Sequence, residues 1–287
     1  MKLGLFTYPN SNNIGDEIQT LAVAQYALKN EKIFLSRDNL NEYNGEKCAV
    51  VMNGFFANKT TLPTSNKIIP IFFGFHIQKT SIKAYSRLKN YFKEFQPIGC
   101  RDNFTANLLN SWGIESYLSG CATMTFPNRI KNNMQDKIIA TDISIKKIKK
   151  KDHKYLELVT HITNSNYLTN LTKLNIAREL LKFYYNNAKF IITDKIHCAL
   201  PAQAMGIPVI FFGRINYRKS TINMFSTQIK SMPIFSKISL SNLKFFPVEV
   251  DSVKIKIEQD LRSKLIKNNI ITNKLTENFI NAPDLLI

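Results

Sequence analysis

Lys195 and His197, separated by one residue, stand directly after a short apolar run that ends at Thr193. Apolar β-branched and aromatic residues predict a buried strand there, and the small residues of 199–205 predict a helix after it. In parallel α/β sheets, ligands bind beyond the carboxyl ends of strands, where helix N-termini converge. We therefore expect an anion to bind at this point, with a core role for His197, hydrogen-bonded to the backbone, as the alternative.

Other polar side chains follow predicted strands in the same way. Arg101 stands where a strand meets a helix, so its guanidinium is suited to carboxylate or phosphate while Asp102 caps the helix. A purely structural Arg–Asp pair is the alternative. If the sheets are parallel, these residues share one edge. The set comprises Asn53, Gly54, His76, Arg101, Asp102, Ser119, Gly120, Asp142, His161, Asp194, Lys195, His197 and Arg214.

Apolar strands and amphipathic helices alternate along the chain and carry these residues, which predicts the α/β class. Near-continuous hydrophobicity in the strands favours parallel sheets covered on both faces. The predicted strands are 2–7, 48–52, 68–73, 97–100, 116–119, 137–141, 156–161, 190–193 and 208–212. The predicted helices are 16–29, 82–94, 102–112, 175–186, 199–205 and 252–267.

Apolar character disappears over residues 127–136, and a second series of predicted strands begins after them. This pattern indicates two domains with a cleft between them. We predict an N-terminal domain at 1–128, a C-terminal domain at 129–249, and an amphipathic helix with a tail at 250–287.

The chain is basic, with 39 Lys and Arg against 21 Asp and Glu and a formal net charge of +18. Such a charge favours anionic partners. The densest basic run is IKKIKKKDHK at 145–154, and a second basic stretch is the predicted helix 252–267. A solvated loop and a helix packed on a domain are the simpler interpretations, and peripheral contact with an anionic membrane is the alternative.

Several sequence features are absent, and their absence excludes some cellular locations and some classes of enzyme. No apolar run reaches the roughly 18 residues of a membrane span, and four scattered cysteines indicate reduced thiols in a cytoplasmic protein. Signatures of dinucleotide binding, phosphate loops, zincins, zinc sites and α/β-hydrolase esterases are missing. No nucleic-acid motif stands out either. We expect no metal and no nucleic-acid partner.

Three segments resemble the polysaccharide pyruvyl transferases and occur in that family's order. They are NIGDEIQTLA (13–22), GCRDNFTANLLNSWGIESYLSGCATMTFP (99–127) and AKFIITDKIHCALPAQAMGIPVIF (188–211). The resemblance implies a fold similar to the GT-B glycosyltransferases, with two Rossmann-like halves facing a cleft. The N-terminal half would be the acceptor side and the C-terminal half the donor side.

The same resemblance implies phosphoenolpyruvate as donor, without any cofactor. In the family an Arg, one apolar residue and a His bind this donor, and the matching residues here are Lys195 and His197. The Arg of the family's RD motif matches Arg101. On the acceptor side, Asn53 and His76 are the candidates.

The implied reaction protonates the donor's methylene group and lets a sugar hydroxyl attack the resulting cationic carbon. His197 is the candidate general acid, while Arg101 and Lys195 would offset the donor's charge. Asp16 and Asp194 are the candidate bases.

Two departures from the family pattern bear on the donor. Lys195 replaces an Arg, and an ammonium group cannot make the bidentate planar contact of a guanidinium. Asp194 stands where the family usually has a small hydroxyl residue, which adds a negative charge beside the expected anion site. These changes imply either altered donor geometry or another donor.

We therefore predict a cytoplasmic pyruvyl transferase that forms a ketal on a lipid-linked or nucleotide-linked saccharide precursor of a surface polysaccharide. The alternative enzyme is a GT-B glycosyltransferase that uses a nucleotide sugar. The non-enzymatic alternative is a basic module that binds acidic glycan or lipid.

Overall fold

The computed structural model describes most of the chain up to residue 271. The ranges outside the description are 27–31, 57–60, 131–134, 165–166, 213–215, 217–219, 226–228, 233–236, 238, 241–250 and 272–287. Arg214 and the predicted C-terminal tail beyond residue 271 lie outside the described residues, as does the end of the predicted helix 16–29.

The chain forms two compact units. Among the described residues, unit 1 contains 1–9, 19–122 and 255–271, and unit 2 contains 10–18 and 123–254. The predicted domain boundary at residue 128 lies six residues beyond Ala122, where unit 1 gives way to unit 2 in the structure. The short segment 10–18 belongs to unit 2 although it is flanked on both sides by unit 1.

Unit 1 contains two parallel sheets of four strands each. The first has the order β2-β1-β3-β5 and the second β4-β6-β7-β8. The strands are β1 Lys2–Thr7, β2 Lys32–Ser36, β3 Cys48–Val51, β4 Gly54–Phe56, β5 Ile68–Ile71, β6 Phe75–Ile77, β7 Ile98–Cys100 and β8 Ser116–Leu118. Only two residues separate β3 from β4, and three separate β5 from β6, so two chain segments pass from one sheet into the other.

Unit 2 is built on one parallel sheet of five strands in the order β10-β9-β11-β12-β13. These strands are β9 Lys137–Thr141, β10 Leu156–Val159, β11 Ala188–Thr193, β12 Val209–Phe212 and β13 Ile229–Met232. All pairs within the three sheets are parallel, which confirms the predicted α/β class. Each sheet carries the crossover connections that parallel strands require.

Seven α-helices occur among the described residues. They are α1 Gly15–Ala24, α2 Ile82–Tyr85, α3 Lys89–Glu94, α4 Asn103–Ser111, α5 Asn170–Asn187, α6 Ile196–Ala204 and α7 Asp251–Lys267. The predicted helix 82–94 is interrupted by a 3-10 turn at Ser86–Leu88. The predicted helix 175–186 begins five residues earlier, because Thr169 caps it by accepting a hydrogen bond from the Thr172 amide.

The C-terminal helix α7 buries its apolar face, as its spacing predicts. Leu261 and Leu265 are fully buried, and Ile257 nearly so. Tyr117 Oη donates a 2.5 Å hydrogen bond to Asp260 Oδ2 in unit 1. The packing interpretation of this basic helix is therefore confirmed. No helix within the described ranges has the length and apolar character of a membrane span.

Candidate active site

The strand order of unit 2 reverses between β9 and β11. These two strands lie side by side, while the strands that follow them in sequence, β10 and β12, lie on opposite flanks. In doubly wound sheets, ligands bind in the crevice at such a reversal, outside the carboxyl ends of the strands. Thr141 and Thr193 end the two strands, and Asp142 and Asp194 follow them directly. The predicted anion site at Lys195 thus lies at the switch point of its sheet.

Lys195 occupies the N-cap position of α6. Its amide donates a 3.0 Å hydrogen bond to Thr193 Oγ1, and its ammonium lies 3.5 Å from Asp194 Oδ1. About a third of each charged side chain is exposed, at 37% and 34%. Ion pairs this exposed contribute little to stability, so an incoming anion can compete with Asp194 for the ammonium. The positive end of the α6 dipole also attracts an anion.

His197 lies in the first turn of α6 and is packed against Gly15, the first residue of α1. A Cβ atom at Gly15 would lie 3.1 Å from His197 Cβ and 3.1 Å from Asn13 Oδ1. Contacts this short are tighter than ordinary packing, so a side chain at position 15 would displace its neighbours. Glycine therefore lets the backbone of the NIGDE segment lie directly against His197.

Backbone hydrogen bonds attach the 10–18 segment to the loop after β10. The Ile14 amide donates to His161 O at 2.8 Å, and the Thr163 amide donates to Asn12 O at 2.7 Å. Asn13 and Ile162 form an isolated antiparallel bridge. These contacts explain why the segment belongs to unit 2.

The same segment holds Asp16. Ser11 Oγ donates a 2.5 Å hydrogen bond to Asp16 Oδ2, and the Asp16 amide donates to Asn13 O at 3.0 Å. Asp16 is only 6% exposed. Its carboxylate is therefore held in one orientation, one residue from the glycine that touches His197.

His161 lies in a buried polar cluster in unit 2. Its Nε2 atom is 3.0 Å from Tyr184 Oη, which is 2.9 Å from Thr141 Oγ1. Burial lowers the pKa of His161 to about 4, and the charge of Lys195 lowers it further against the opposing effect of Asp142. This imidazole is neutral at physiological pH, so it carries no positive charge that would attract an anion.

Asp142, the residue after β9, fixes the loop that carries His161. It adopts a left-handed backbone conformation with φ 52°. Its carboxylate accepts hydrogen bonds from the His161 amide at 3.0 Å and from Thr160 Oγ1 at 2.6 Å. Asp142 therefore has a structural role in shaping the edge of the sheet.

In unit 1, Arg101 follows β7 and is 3% exposed. Asp102 caps α4 as predicted, because its Oδ1 accepts from the Thr105 amide at 2.9 Å. Its other oxygen, Oδ2, lies 2.5 Å from His76 Nδ1, and both side chains are fully buried. A fully buried His–Asp pair favours a structural role for His76, and its role on the acceptor side stays a prediction.

Asn53 follows β3 in unit 1 and is 1% exposed. Its Oδ1 accepts hydrogen bonds from the Ala122 amide at 3.0 Å and from Cys121 Sγ at 3.6 Å. Among the described atoms its Nδ2 has no hydrogen-bond partner. Gly74, with φ 68°, lies so close that a Cβ there would overlap Asn53 Oδ1. The amide is thus fixed in place, and its acceptor-side role also stays a prediction.

The structure distributes the predicted site residues over both units. Asp16, Asp194, Lys195 and His197 lie in unit 2, whereas Asn53, His76 and Arg101 lie in unit 1. Among the described residues, no group of His, Cys, Asp and Glu side chains is arranged to hold a metal ion.

Sequence reasoning missed a buried ion pair beside this site. Lys173 of α5 lies 3.2 Å from Glu17 of α1, and their side chains are 0% and 4% exposed. Burial raises the pKa of Glu17 to about 7, although Lys173 lowers it. A signal was present, because Lys173 shares the helical face of Ala177, Leu181 and Tyr184, which are buried. The predicted helix began after Lys173 and so did not include it.

Residues 13–216 match the polysaccharide pyruvyl transferase family. The chain belongs to that family. A search of the curated proteins finds no match.

A family member is a transferase, and the family description supports pyruvyl transfer to a polysaccharide. A solved structure of a functionally uncharacterized protein from Klebsiella pneumoniae subsp. pneumoniae NTUH-K2044 is similar, with a TM-score of 0.50 and 15% identity. That match covers 82% of this chain and 93% of the other. It supports the fold, which is consistent with a Rossmann-like, GT-B-like architecture.

Proposed function

We propose that the chain transfers the pyruvyl group of phosphoenolpyruvate to two hydroxyls of a saccharide and forms a cyclic ketal. The observation that carries this proposal is the contact between Gly15 and His197 in unit 2. It joins two separate family segments, so that Asp16, Lys195 and His197 come from adjoining stretches of backbone.

Lys195 is the proposed phosphate ligand. Its ammonium is partly exposed at the N-terminus of α6, and Asp194 is its only charged neighbour within salt-bridge distance among the described residues. The positive end of a helix and one cation together form a suitable site for phosphate. A lysine at this position acts as a point charge and makes no bidentate contact.

The proposed reaction begins when His197 protonates the methylene carbon of phosphoenolpyruvate. The cationic carbon that forms is attacked by one sugar hydroxyl, which loses its proton to a base. The C–O bond to phosphate then breaks, inorganic phosphate leaves, and the second hydroxyl closes the ring with loss of its own proton. Negative charge builds up on the phosphate as its C–O bond breaks, so a neighbouring cation and the positive end of the helix stabilise the departure of phosphate.

Asp16 is the proposed base, in preference to Asp194. Its carboxylate is oriented by Ser11, whereas the carboxylate of Asp194 faces the ammonium of Lys195. A base needs a fixed position close to the proton that it accepts. Arg101 lies in unit 1, and its donor-binding role stays a prediction.

The proposed acceptor is a saccharide precursor carried on a lipid or a nucleotide. A lipid-linked acceptor would bring the protein to the cytoplasmic face of a membrane. The apolar face of α7 is already buried, so the exposed lysines between Lys146 and Lys154 are the better candidates for a contact with anionic lipid.

Donor binding is tested by thermal unfolding with phosphoenolpyruvate or with nucleotide sugars. A ligand that binds only the native state raises the midpoint of unfolding. We expect phosphoenolpyruvate to raise it in the parent and to have little effect in Lys195→Ala. Stabilisation by a nucleotide sugar, with none by phosphoenolpyruvate at millimolar concentration, would transfer support to the glycosyltransferase alternative.

A further inference from the structure

The buried pair between Lys173 and Glu17 is an unusual feature of unit 2. Removing two charges from water costs several kcal/mol per ion, and their attraction offsets this only when the geometry is good. Lys173 is fully buried, and its Nζ lies 3.2 Å from Glu17 Oε1. An apolar pair of similar volume often serves stability equally well. The pair therefore requires an explanation other than stability.

Lys173 also holds the backbone of the 10–18 segment. Its Nζ donates a 3.2 Å hydrogen bond to Ser11 O. One ammonium group thus contacts both ends of the segment, Ser11 at its start and Glu17 in the first turn of α1.

From Ser11 the contacts lead to the candidate base. Ser11 Oγ donates to Asp16 Oδ2 at 2.5 Å and accepts from the Asn13 amide at 3.2 Å. Asn13 Oδ1 in turn accepts from the Gly15 amide at 3.1 Å. The position of the Asp16 carboxylate therefore depends on a residue of α5, through Ser11.

We infer that Lys173, Glu17 and Ser11 are positioning residues that fix the orientation of the Asp16 carboxylate and hold the Gly15 backbone against His197. This inference rests on the proposed function, because it assigns Asp16 a role in the transfer. None of the three touches the donor; each acts through the segment that it holds.

The test compares three variants with the parent. Lys173→Met combined with Glu17→Gln removes both buried charges while nearly keeping the side-chain volumes, so we expect the fold to be retained. Ser11→Ala removes the hydroxyl that orients Asp16, and Ser11→Thr restores one. Lys189→Met, an exposed lysine of β11, is the matched control for loss of a positive charge in unit 2.

Transfer from phosphoenolpyruvate is measured with methyl hexopyranosides as acceptors, because these offer hydroxyl pairs that can close a ketal ring. We expect kcat to fall about a hundredfold in the double variant and in Ser11→Ala, as misplacement by about 1 Å can cause. The KM for phosphoenolpyruvate should stay within about twofold, since Lys195 is untouched. Ser11→Thr should recover most of kcat, and Lys189→Met should match the parent.

Hydrogen exchange of the Ile14 and Asp16 amides is measured on the same proteins, and it requires no turnover. We expect faster exchange at both amides in the double variant only. The inference would be overturned if these two amides exchanged in the double variant at the parent's rate. It would also be overturned if Ser11→Ala left kcat unchanged. A parent that transfers nothing would instead contradict the proposed function, and the exchange rates would still decide whether Lys173 holds the segment.

Discussion

The raised pKa of Glu17 predicts a specific pH dependence of stability. Burial moves this pKa from 4.5 to about 7. Because the folded state holds the proton more tightly than the unfolded state, Glu17 favours folding below pH 4.5, and this contribution is lost as pH rises through 7. The difference between the two pKa values corresponds to about 3 kcal/mol, since a tenfold change in proton affinity is about 1.4 kcal/mol.

Glu17→Gln removes this titration while preserving the volume of the side chain. The difference in unfolding free energy between variant and parent should change by about 2 to 3 kcal/mol in favour of the variant between pH 5 and pH 8. The charged groups that act on Glu17 are Lys173 and Asp16, and both remain in the variant. The measurement is urea unfolding at several pH values.

His161 changes the stability of the parent with pH in the opposite direction to Glu17. Its pKa is lowered to about 4, so its contribution is present above pH 6.5 and is lost as pH falls through 4. The two effects oppose each other in the parent, and only the comparison with Glu17→Gln separates them. Circular dichroism follows the whole chain, while the single tryptophan, Trp112, reports on unit 1. A variant-to-parent difference that is the same at pH 5 and pH 8 would refute the reasoning.

Three further predictions concern the donor, the packing at His197 and the basic surface. Lys195→Ala should raise the KM for phosphoenolpyruvate about thirtyfold, the equivalent of about 2 kcal/mol, whereas Lys195→Arg should keep or lower it. Gly15→Ala should reduce kcat about tenfold, because its methyl group displaces His197 and misplacement of reacting groups is costly. Reversing the charges of Lys149–Lys151 should weaken binding to anionic vesicles in co-sedimentation at low salt, and binding by the parent should fall steeply with added salt.

Matched controls separate these effects from general loss of charge. Lys189→Ala should leave the KM for the donor unchanged, since this exposed lysine lies on β11 away from its carboxyl end. Charge reversal at Lys83, Lys89 and Lys93, which are exposed in unit 1, should reduce vesicle binding less. The lysine run would have no specific role if the two charge-reversal variants lost vesicle binding equally. The same conclusion would follow if the parent bound neutral and anionic vesicles equally.

The sequence predicted best those elements that local pattern determines. β1 and β9 match their predicted bounds, because each is a continuous apolar run with a clear polar end. The cap by Asp102 was also predicted correctly, since it depends on a residue type at a helix start. Four strands were missed, namely β2, β4, β6 and β13. β4 and β6 have three residues each and follow β3 and β5 so closely that the sequence shows no separate apolar run for them.

The sequence names candidate site residues one by one, but it does not show how they are connected. His197 and Lys195 stand out because charged groups follow a buried strand. The attachment of the 10–18 segment to unit 2 depends on hydrogen bonds to residues near position 161, far along the chain. The spacing of α5 indicates that Lys173 is buried, but no local pattern shows that it meets Glu17. Such long-range pairings are set by tertiary packing.

Product analysis in deuterated water shows whether a ketal forms and whether its formation depends on His197. Phosphoenolpyruvate and a methyl hexopyranoside are incubated with the parent and with His197→Ala, and the products are followed by proton and phosphorus NMR. The proposal predicts that the parent forms a sugar ketal whose methyl group carries one solvent deuterium, with one inorganic phosphate released per ketal, and that His197→Ala forms none while keeping the parent's melting temperature. Release of phosphate without a ketal, or a ketal formed equally fast by His197→Ala, would contradict it.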